Sequence, residues 1–233
     1  MGKFLFSYPL YTDSRVISFY DKINLPRLLD YDQISLLTTS TSKTLVIGSN
    51  NTVFVKSLKQ AFSEIIVIDE IADLHYQTDK FSLIIFSDFS FMNILDAEDQ
   101  REAFRILLEK LEHNGEIILN LELFNGDKFL EDPSISSFVC QTEIDDEIFM
   151  FFNRQEYDYF SQILYQNFTL EILNLSGELK NTLKFDQEVR YTFLPEIKHL
   201  FKLVGLEIKQ IYSGFDGSQL LENSDEAVFI LGK

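Results

Sequence analysis

Two short apolar runs on either side of an amphipathic segment constrain the fold of this chain more than any other feature. The first run, Thr44–Ile47, is rich in β-branched residues and ends at Gly48, and the second, Ile65–Ile68, ends at Asp69. The segment between them, at about 52–62, carries apolar residues at helical spacing. The pattern predicts a strand, a turn, a helix and a second strand, with an acidic residue closing the second strand.

Further apolar runs extend this unit into a larger sheet. Residues 82–86 and 116–121 are largely apolar, as expected of parallel strands that are buried on both faces. We therefore predict an α/β fold with a Rossmann-like, doubly wound, mainly parallel sheet and an inserted antiparallel β layer. The neighbouring parallel strands are predicted at 44–47, 65–68, 82–86 and 116–121, with an antiparallel closing strand near 227–231.

The pattern changes between residues 122 and 193. Four short stretches there alternate as antiparallel strands do, and Ser176-Gly177 offers a hairpin turn. A helix is predicted near 154–165 from the spacing of its apolar residues. The four strands are expected at 138–140, 147–152, 169–173 and 182–185.

Two longer helices have recognisable ends. Asp96 can cap a helix over about 97–112, which Asn114-Gly115 would end. Pro195 can open a second helix in its first turn, and Gly205 would stop it. We interpret the chain as one domain, in which 1–43 is an N-terminal helical segment. Residues 44–121 and 194–233 form the core, and residues 122–193 form the antiparallel insert.

Charge and composition exclude several classes of partner. The formal net charge is −17, which argues against a nucleic acid or an anionic membrane surface as a partner. Cys140 is the single cysteine, so no intramolecular disulfide can form, and no Cys/His grouping has the spacing of a metal site. No apolar run approaches the roughly 20 residues of a membrane span. A cytoplasmic location is the expectation.

The order of the segments resembles the class I S-adenosylmethionine (SAM) dependent methyltransferases. The likeness is greatest to the branch that methylates small molecules, which includes amino-sugar N-methyltransferases, and it covers nearly the whole chain. The segments that carry it are Thr44–Thr52, Ile65–Asp69, Lys80–Ser87, Leu111–Leu119, Arg190–Ile197 and 204–233.

This resemblance implies a cofactor site with a degenerate loop. Gly48 matches the family's first glycine, but Asn50 stands at the second, and Val46 replaces the acid that precedes the loop. The loop residues Gly48, Ser49 and Asn50, together with Ser87 after the third strand, are the implied cofactor contacts. Asp69 matches the acid that accepts hydrogen bonds from both ribose hydroxyls of the cofactor.

The segment 70–80 departs most from the family. The family fits a helix and a further strand there, whereas this chain has only the residues between Asp69 and Phe81. Asp73 and Leu74 resemble the pair that receives the adenine amino group and covers the ring. We predict that 70–80 contains no full helix, since so few residues cannot supply a helix, a strand and their turns at about 1.5 and 3.3 Å per residue.

The sequence offers two catalytic candidates: Asp88 as a general base or a contact to an ammonium group, and His75 as a base or a contact to the cofactor. Methyl transfer depends mainly on placing the nucleophile in line with the sulfonium, so no strong acid–base pair is required. The function implied is a small-molecule methyltransferase that uses SAM. The alternatives are a pseudo-methyltransferase that has lost SAM and serves as a partner or scaffold subunit, or a non-methylating enzyme on the same fold. If the chain forms a homodimer, we expect it to pair through the antiparallel insert.

Overall fold

The computed structural model describes most of the chain beyond residue 42. The described ranges are 43–48, 62–69, 71–76, 78–87, 89–124 and 132–233, with the helical residues Val16, Ser18, Phe19, Lys22, Val55, Leu58 and Lys59. The helices predicted in the N-terminal segment and over 52–62 therefore lie largely outside the described residues. In the described part of the chain, no helix is long and apolar enough to cross a membrane.

Ten strands and two α-helices are described over their whole length. In chain order these are β1 (Thr44–Ile47), β2 (Ile65–Ile68), β3 (Phe81–Phe86), α1 (Ala97–Lys110), β4 (Leu111–Glu122), β5 (Ser137–Ile144), β6 (Glu147–Asp158), β7 (Ile163–Asn174), β8 (Leu179–Arg190), α2 (Leu194–Val204), β9 (Glu207–Tyr212) and β10 (Glu226–Gly232). Short 3-10 helices span Ile71–Tyr76 and Ser90–Asn93.

The main sheet has six strands in the order β2-β1-β3-β4-β10-β9. The first four run parallel, with Val46 opposite both Val67 and Ile85, and β10 pairs antiparallel with β4 and with β9. Every residue of β3 is buried, because helices and loops cover both faces of a central parallel strand. The predicted α/β class, strand neighbours and closing strand are confirmed.

The end of α1 differs from the prediction. Asp96 caps the helix as expected, accepting hydrogen bonds from the N–H groups of Glu98 and Asp99, but the helix ends at Lys110 and β4 begins at once. Asn114-Gly115 thus lies inside a strand. A Cβ on Gly115 would stand 2.7 Å from Cδ1 of Leu111, so the glycine serves the close packing of this irregular strand start rather than a helix cap.

The insert is a separate four-stranded antiparallel sheet in the order β5-β6-β7-β8. All four predicted strands are present and longer than predicted, and the turn at Ser176-Gly177 joins β7 to β8. The helix predicted near 154–165 is wrong, because β6 runs on to Asp158 and β7 starts at Ile163. Phe160, which fitted a helical stripe, is fully exposed in the turn between these two strands.

A cluster of aromatic rings joins the helices to the main sheet. The ring of Phe104 on α1 lies 5.0 Å from that of Phe91 and 5.4 Å from that of Phe201 on α2. Phe201 in turn lies 5.2 Å from Phe229 on β10. All four rings are fully buried, so burial of aromatic surface fixes both helices on the sheet.

A second apolar cluster holds the N-terminal segment to the insert. Val16 and Phe19 are buried among residues of β5, β6 and β7. The ring of Phe19 lies 5.3 Å from that of Phe151 and 6.2 Å from that of Phe149. The inner face of the insert therefore packs partly against this segment.

The sequence led to two expectations for the short connection between β2 and β3, of which one is correct and one is wrong. In the described residues no strand lies between β2 and β3, so β2 is the edge of the sheet. Ile71–Tyr76, however, makes about two turns of 3-10 helix at three residues per turn. The prediction that 70–80 contains no full helix is therefore wrong, because the tighter 3-10 winding fits where an α-helix and a strand together would not.

Phe104→Ala is expected to lower the free energy of unfolding by about 3–5 kcal/mol, because it removes a fully buried ring. The neighbouring Arg105 is exposed, and Arg105→Ala should change that free energy by no more than about 0.5 kcal/mol. Urea unfolding followed by circular dichroism measures both. Equal stability of the two variants would contradict the packing described for α1.

Candidate functional site

A cavity of about 580 Å³ opens at the carboxyl ends of β1, β2 and β3, on the side where α1 lies. Ligands bind at this edge in doubly wound sheets, because the strand ends and the loops that follow them meet there. Most of the lining is apolar, and its polar members come from the end of β2, the loop after β3 and the first half of α1. The lining residues are Ile47, Asp69, Ile71, Ala72, Phe86, Ser90, Asn93, Ile94, Asp99, Glu102, Ala103 and Ile106.

Gly48 ends β1 in a conformation that a side chain would not tolerate. Its φ is 148°, and a Cβ built there would lie 1.8 Å from Oγ of Ser87. Its N–H donates to the Ile68 carbonyl at 2.8 Å, which ties the turn to β2. In this structure the space beside Gly48 is thus taken by the chain's own Ser87.

The carbonyl of Ile47 anchors the loop that follows β3. It accepts hydrogen bonds from the N–H of Ser87 at 3.0 Å, from Oγ of Ser87 at 3.2 Å and from Oγ of Ser90 at 2.8 Å. Ser87 is fully buried, and its hydroxyl serves this anchor. The two serines therefore position the loop that lines the cavity.

A buried polar chain supports the same loop from the other side. Nδ2 of Asn120 on β4 donates to Oε1 of Glu226 on β10 at 2.9 Å, and both residues are almost fully buried. Oδ1 of Asn120 accepts from the N–H of Phe89 at 3.3 Å. Phe89 has φ 59°, a left-handed conformation that is costly for a bulky residue. The hydrogen bond and the burial of its ring hold Phe89 in that conformation.

The structure brings one of the sequence-predicted cofactor residues to the cavity wall. Asp69, at the end of β2, is exposed there beside Ile71 and Ala72. Asp73 is exposed on the 3-10 helix and is not part of the lining, and Leu74 is fully buried in the core. The 3-10 winding turns Leu74 inward, so the structure does not bring this predicted pair to the cavity.

The other predicted residues can be placed only in part. Ser87 is not part of the cavity lining and is bonded to Ile47 as described. His75 belongs to the 3-10 helix Ile71–Tyr76. The side chain of His75, and the loop residues Ser49, Asn50 and Asp88, lie outside the described residues, so their roles remain predictions.

Sequence reasoning missed four polar residues of the lining. One is Ser90, whose hydroxyl bonds the Ile47 carbonyl as described, and the others are Asn93, Asp99 and Glu102. Asn93 ends the 3-10 helix after β3, and its Oδ1 is buried without a hydrogen-bond partner among the described residues. Asp99 and Glu102 lie one turn apart on the same face of α1, and Glu102 also pairs with the exposed Arg105 at 3.4 Å. The helical spacing of Asp99, Glu102, Ala103 and Ile106 could have indicated that these residues share one face of α1. Among the described residues, no group of three or more acidic, histidine or cysteine side chains could hold a metal ion.

The sequence matches no family model, and no curated protein matches it significantly. Solved structures do match along nearly the whole chain. A SAM-dependent methyltransferase from Clostridium acetobutylicum superposes with a TM-score of 0.70 at 12% identity, covering 94% of this chain and 97% of that one. DesVI from Streptomyces venezuelae gives a TM-score of 0.70 at 12% identity, covering 95% and 98%.

A third solved structure is similar over the same extent. CalS10, an amino pentose methyltransferase from Micromonospora echinaspora solved with SAM bound, gives a TM-score of 0.68 at 9% identity, covering 98% of this chain and all of that one. The fold of this chain is therefore the class I SAM-dependent methyltransferase fold. At such low identities the likeness establishes the fold alone.

Gly48→Ala is expected to lower the free energy of unfolding more than Gly205→Ala does. Both changes place a methyl group at positive φ, at a cost of roughly 1–2 kcal/mol. A Cβ on Gly205 has open space around it, whereas one on Gly48 overlaps Ser87, which typically adds about 1–3 kcal/mol. Adding Ser87→Ala to Gly48→Ala should restore part of the loss. Equal losses for the two glycines in chemical denaturation would argue against the packing of Gly48 on Ser87.

Proposed function

We propose that this protein is a methyltransferase that uses SAM to methylate a small molecule. The observation that carries the proposal is the cavity at the carboxyl ends of β1, β2 and β3, with Asp69 on its wall, in a fold shared with SAM-dependent methyltransferases. The cavity volume of about 580 Å³ falls within the roughly 300–1,000 Å³ of small-molecule sites.

The residues present suit the parts of SAM. Asp69 is the acceptor that a ribose requires, since one carboxylate can bond both hydroxyls. Ile47, Phe86 and Ile106 offer apolar surface to a flat base. The lining carries three carboxylates and no lysine or arginine, so its charge favours a cationic sulfonium over an anionic nucleotide.

When bound, SAM supplies an electrophilic methyl group. The protein's part is to bind and orient both reactants and to keep water out, since proximity and alignment provide most of the acceleration in such a transfer. Asp88 and His75 remain the candidates for holding or removing a proton on the substrate nucleophile. The overall negative charge would favour an amine substrate.

The insert would supply the substrate side of the site. The 3-10 helix Ser90–Asn93 packs against β8, and the guanidinium of Arg190 donates to the carbonyl of Leu95 at 3.4 Å. Gln155, Gln166 and Gln187 stand directly opposite one another on β6, β7 and β8. Such side-chain amides can hydrogen-bond the hydroxyl or amine groups of a polar small molecule.

The pseudo-methyltransferase alternative has a specific observation in its favour. Ser87 occupies the space beside Gly48, where the family's loop approaches the methionine part of SAM. The described sheet also has no strand beyond β2, where a further strand would form one wall of the adenine pocket. A chain with these two features could keep the fold and serve as a partner subunit without cofactor.

We propose that the chain forms a homodimer through the insert. The ring of Phe138 on the edge strand β5 packs against Phe152 at 5.7 Å, and Phe138 remains 53% exposed. An exposed aromatic residue on an edge strand is typical of a surface that pairs with another chain.

Isothermal titration with SAM and with its demethylated product S-adenosylhomocysteine tests the proposed function. Wild-type protein should bind both, and Asp69→Ala should weaken binding about tenfold to a hundredfold, because hydrogen bonds to a charged acceptor contribute about 1.5–3 kcal/mol. Glu109→Ala, on the exposed side of α1 and outside the cavity, is the matched control and should leave affinity unchanged.

Two results would contradict this account. If wild type binds neither compound at millimolar concentration, the alternative without cofactor replaces the proposal. If wild type binds and Asp69→Ala does not weaken binding, the ribose site is misplaced. Asp73→Ala should have less than a twofold effect, since Asp73 lies outside the cavity.

A further inference from the structure

The turn between β6 and β7 carries an aromatic ring that lies entirely in solvent. Phe160 at its tip is fully exposed, and the neighbouring Tyr159 is 62% exposed. Aromatic side chains are enriched in surfaces that bind other proteins, because they bury a large apolar area in one contact. The turn is therefore a candidate contact surface at the end of the insert.

The backbone of this turn is held firmly although its tip is exposed. Oδ1 of Asp158 accepts hydrogen bonds from the N–H of Phe160 at 2.9 Å and from that of Ser161 at 3.3 Å. The guanidinium of Arg190 donates to the Ser161 carbonyl at 2.9 Å and to Oε1 of Gln162 at 2.6 Å. A ring presented from such a fixed turn costs little conformational entropy when it binds.

A groove of about 660 Å³ lies beside the turn, between α1 and α2 and apart from the cavity at the sheet edge. Nε2 of Gln162 donates to Oε2 of Glu196 at 2.8 Å, and Glu196 lines the groove, so the turn and the groove adjoin. Most of the lining is apolar, and its Leu203 is 70% exposed. An apolar cavity of about 150 Å³ can hold benzene, so the groove has room for the ring of a phenylalanine.

Opposite charges border the turn and the groove. Lys202 and His199 line the groove from the exposed side of α2, and neither forms an ion pair with a described residue. Near the turn, Glu156 on β6 and Glu188 on β8 are exposed, and both pair with Tyr165 of β7. The chain as a whole carries a net charge of −17, so a groove with unpaired basic side chains is a local exception that suits an acidic partner.

We propose that Phe160 inserts into the groove between α1 and α2 of a second copy of the chain, and that the two copies exchange these turns across a two-fold axis. Because the turn and the groove lie side by side, one axis between them makes both contacts, and the interface closes on itself. A second copy supplies both the ring and the acidic flank that the groove suits. This inference rests on the homodimer proposed above, whose contact surface it names, and it does not depend on SAM.

Sedimentation velocity over a range of protein concentrations tests this contact. Wild-type protein should form dimers, and Phe160→Ser should raise the dimer Kd at least about tenfold, because a few buried aromatic anchors carry most of the energy of an interface. Leu203→Ser in the groove should have a similar effect. Leu175→Ser is the matched control, since Leu175 is 58% exposed in the turn at the opposite end of β7 and should leave the Kd unchanged. All three side chains are exposed, so no variant should lower the thermal midpoint appreciably.

A charge exchange tests whether the acidic flank of the turn faces the groove. Lys202→Glu should weaken the dimer. Adding Glu156→Lys and Glu188→Lys to that variant should recover part of the affinity, because opposite charges then face each other again. A triple variant that associates no more tightly than Lys202→Glu would overturn the inference.

The outcomes separate this contact from the other proposals. If wild type stays monomeric at every concentration, the homodimer and this inference both fail, whereas the proposed methyl transfer is untouched. If Phe138→Ser abolishes the dimer and Phe160→Ser does not, the interface lies at the edge of β5, so the homodimer stands and the inference is overturned. Association beyond two copies would also contradict the reciprocal exchange.

Discussion

The contact between Gly48 and Ser87 is the constraint on which the cavity depends. A residue with a side chain at position 48 would push away Ser87, whose backbone and hydroxyl both bond the Ile47 carbonyl. With Ser90 bonded to the same carbonyl, the loop after β3 is fixed to the end of β1. The apolar wall at Phe86 and the carboxamide of Asn93 keep their positions because this anchor holds.

The same edge of the sheet is supported from three directions. The Asn120–Glu226 pair holds Phe89 from the side of β4 and β10, and the rings of Phe91 and Phe104 pack the loop against α1. Arg190 connects the insert to the segment that precedes α1. A cavity built this way can be rigid although the sheet of the described residues ends at β2, since its wall depends on the loop and α1 rather than on a further strand.

Much of the fold could be predicted from the sequence, and much less of the site. Continuous apolar runs such as Leu83–Phe86 specify buried parallel strands, and the caps at Asp96 and Gly205 mark helix ends through local hydrogen bonding. The helix predicted near 154–165 failed because a few apolar residues fit both periods, and the long antiparallel pairing of β6 with β7 decided the outcome.

The site was harder to predict because its walls come from distant segments. Asp69 could be predicted because it directly follows an apolar run that reads as a strand. The burial of Leu74 could not be predicted, because it depends on a 3-10 helix that no local sequence pattern specified. Asn93 has no motif around it. Its Oδ1 is buried without a hydrogen-bond partner among the described residues, and this can be seen only in the folded chain.

Hydrogen–deuterium exchange with and without S-adenosylhomocysteine tests most directly the claim that this edge of the sheet holds the cofactor. The account predicts that the ligand slows exchange in peptides covering Ile68–Ala72 and Phe89–Ile94, and leaves the β6–β7 hairpin tip around Phe160 unchanged. Slowed exchange confined to the insert, or none at the ends of β2 and β3 under saturating ligand, would contradict it.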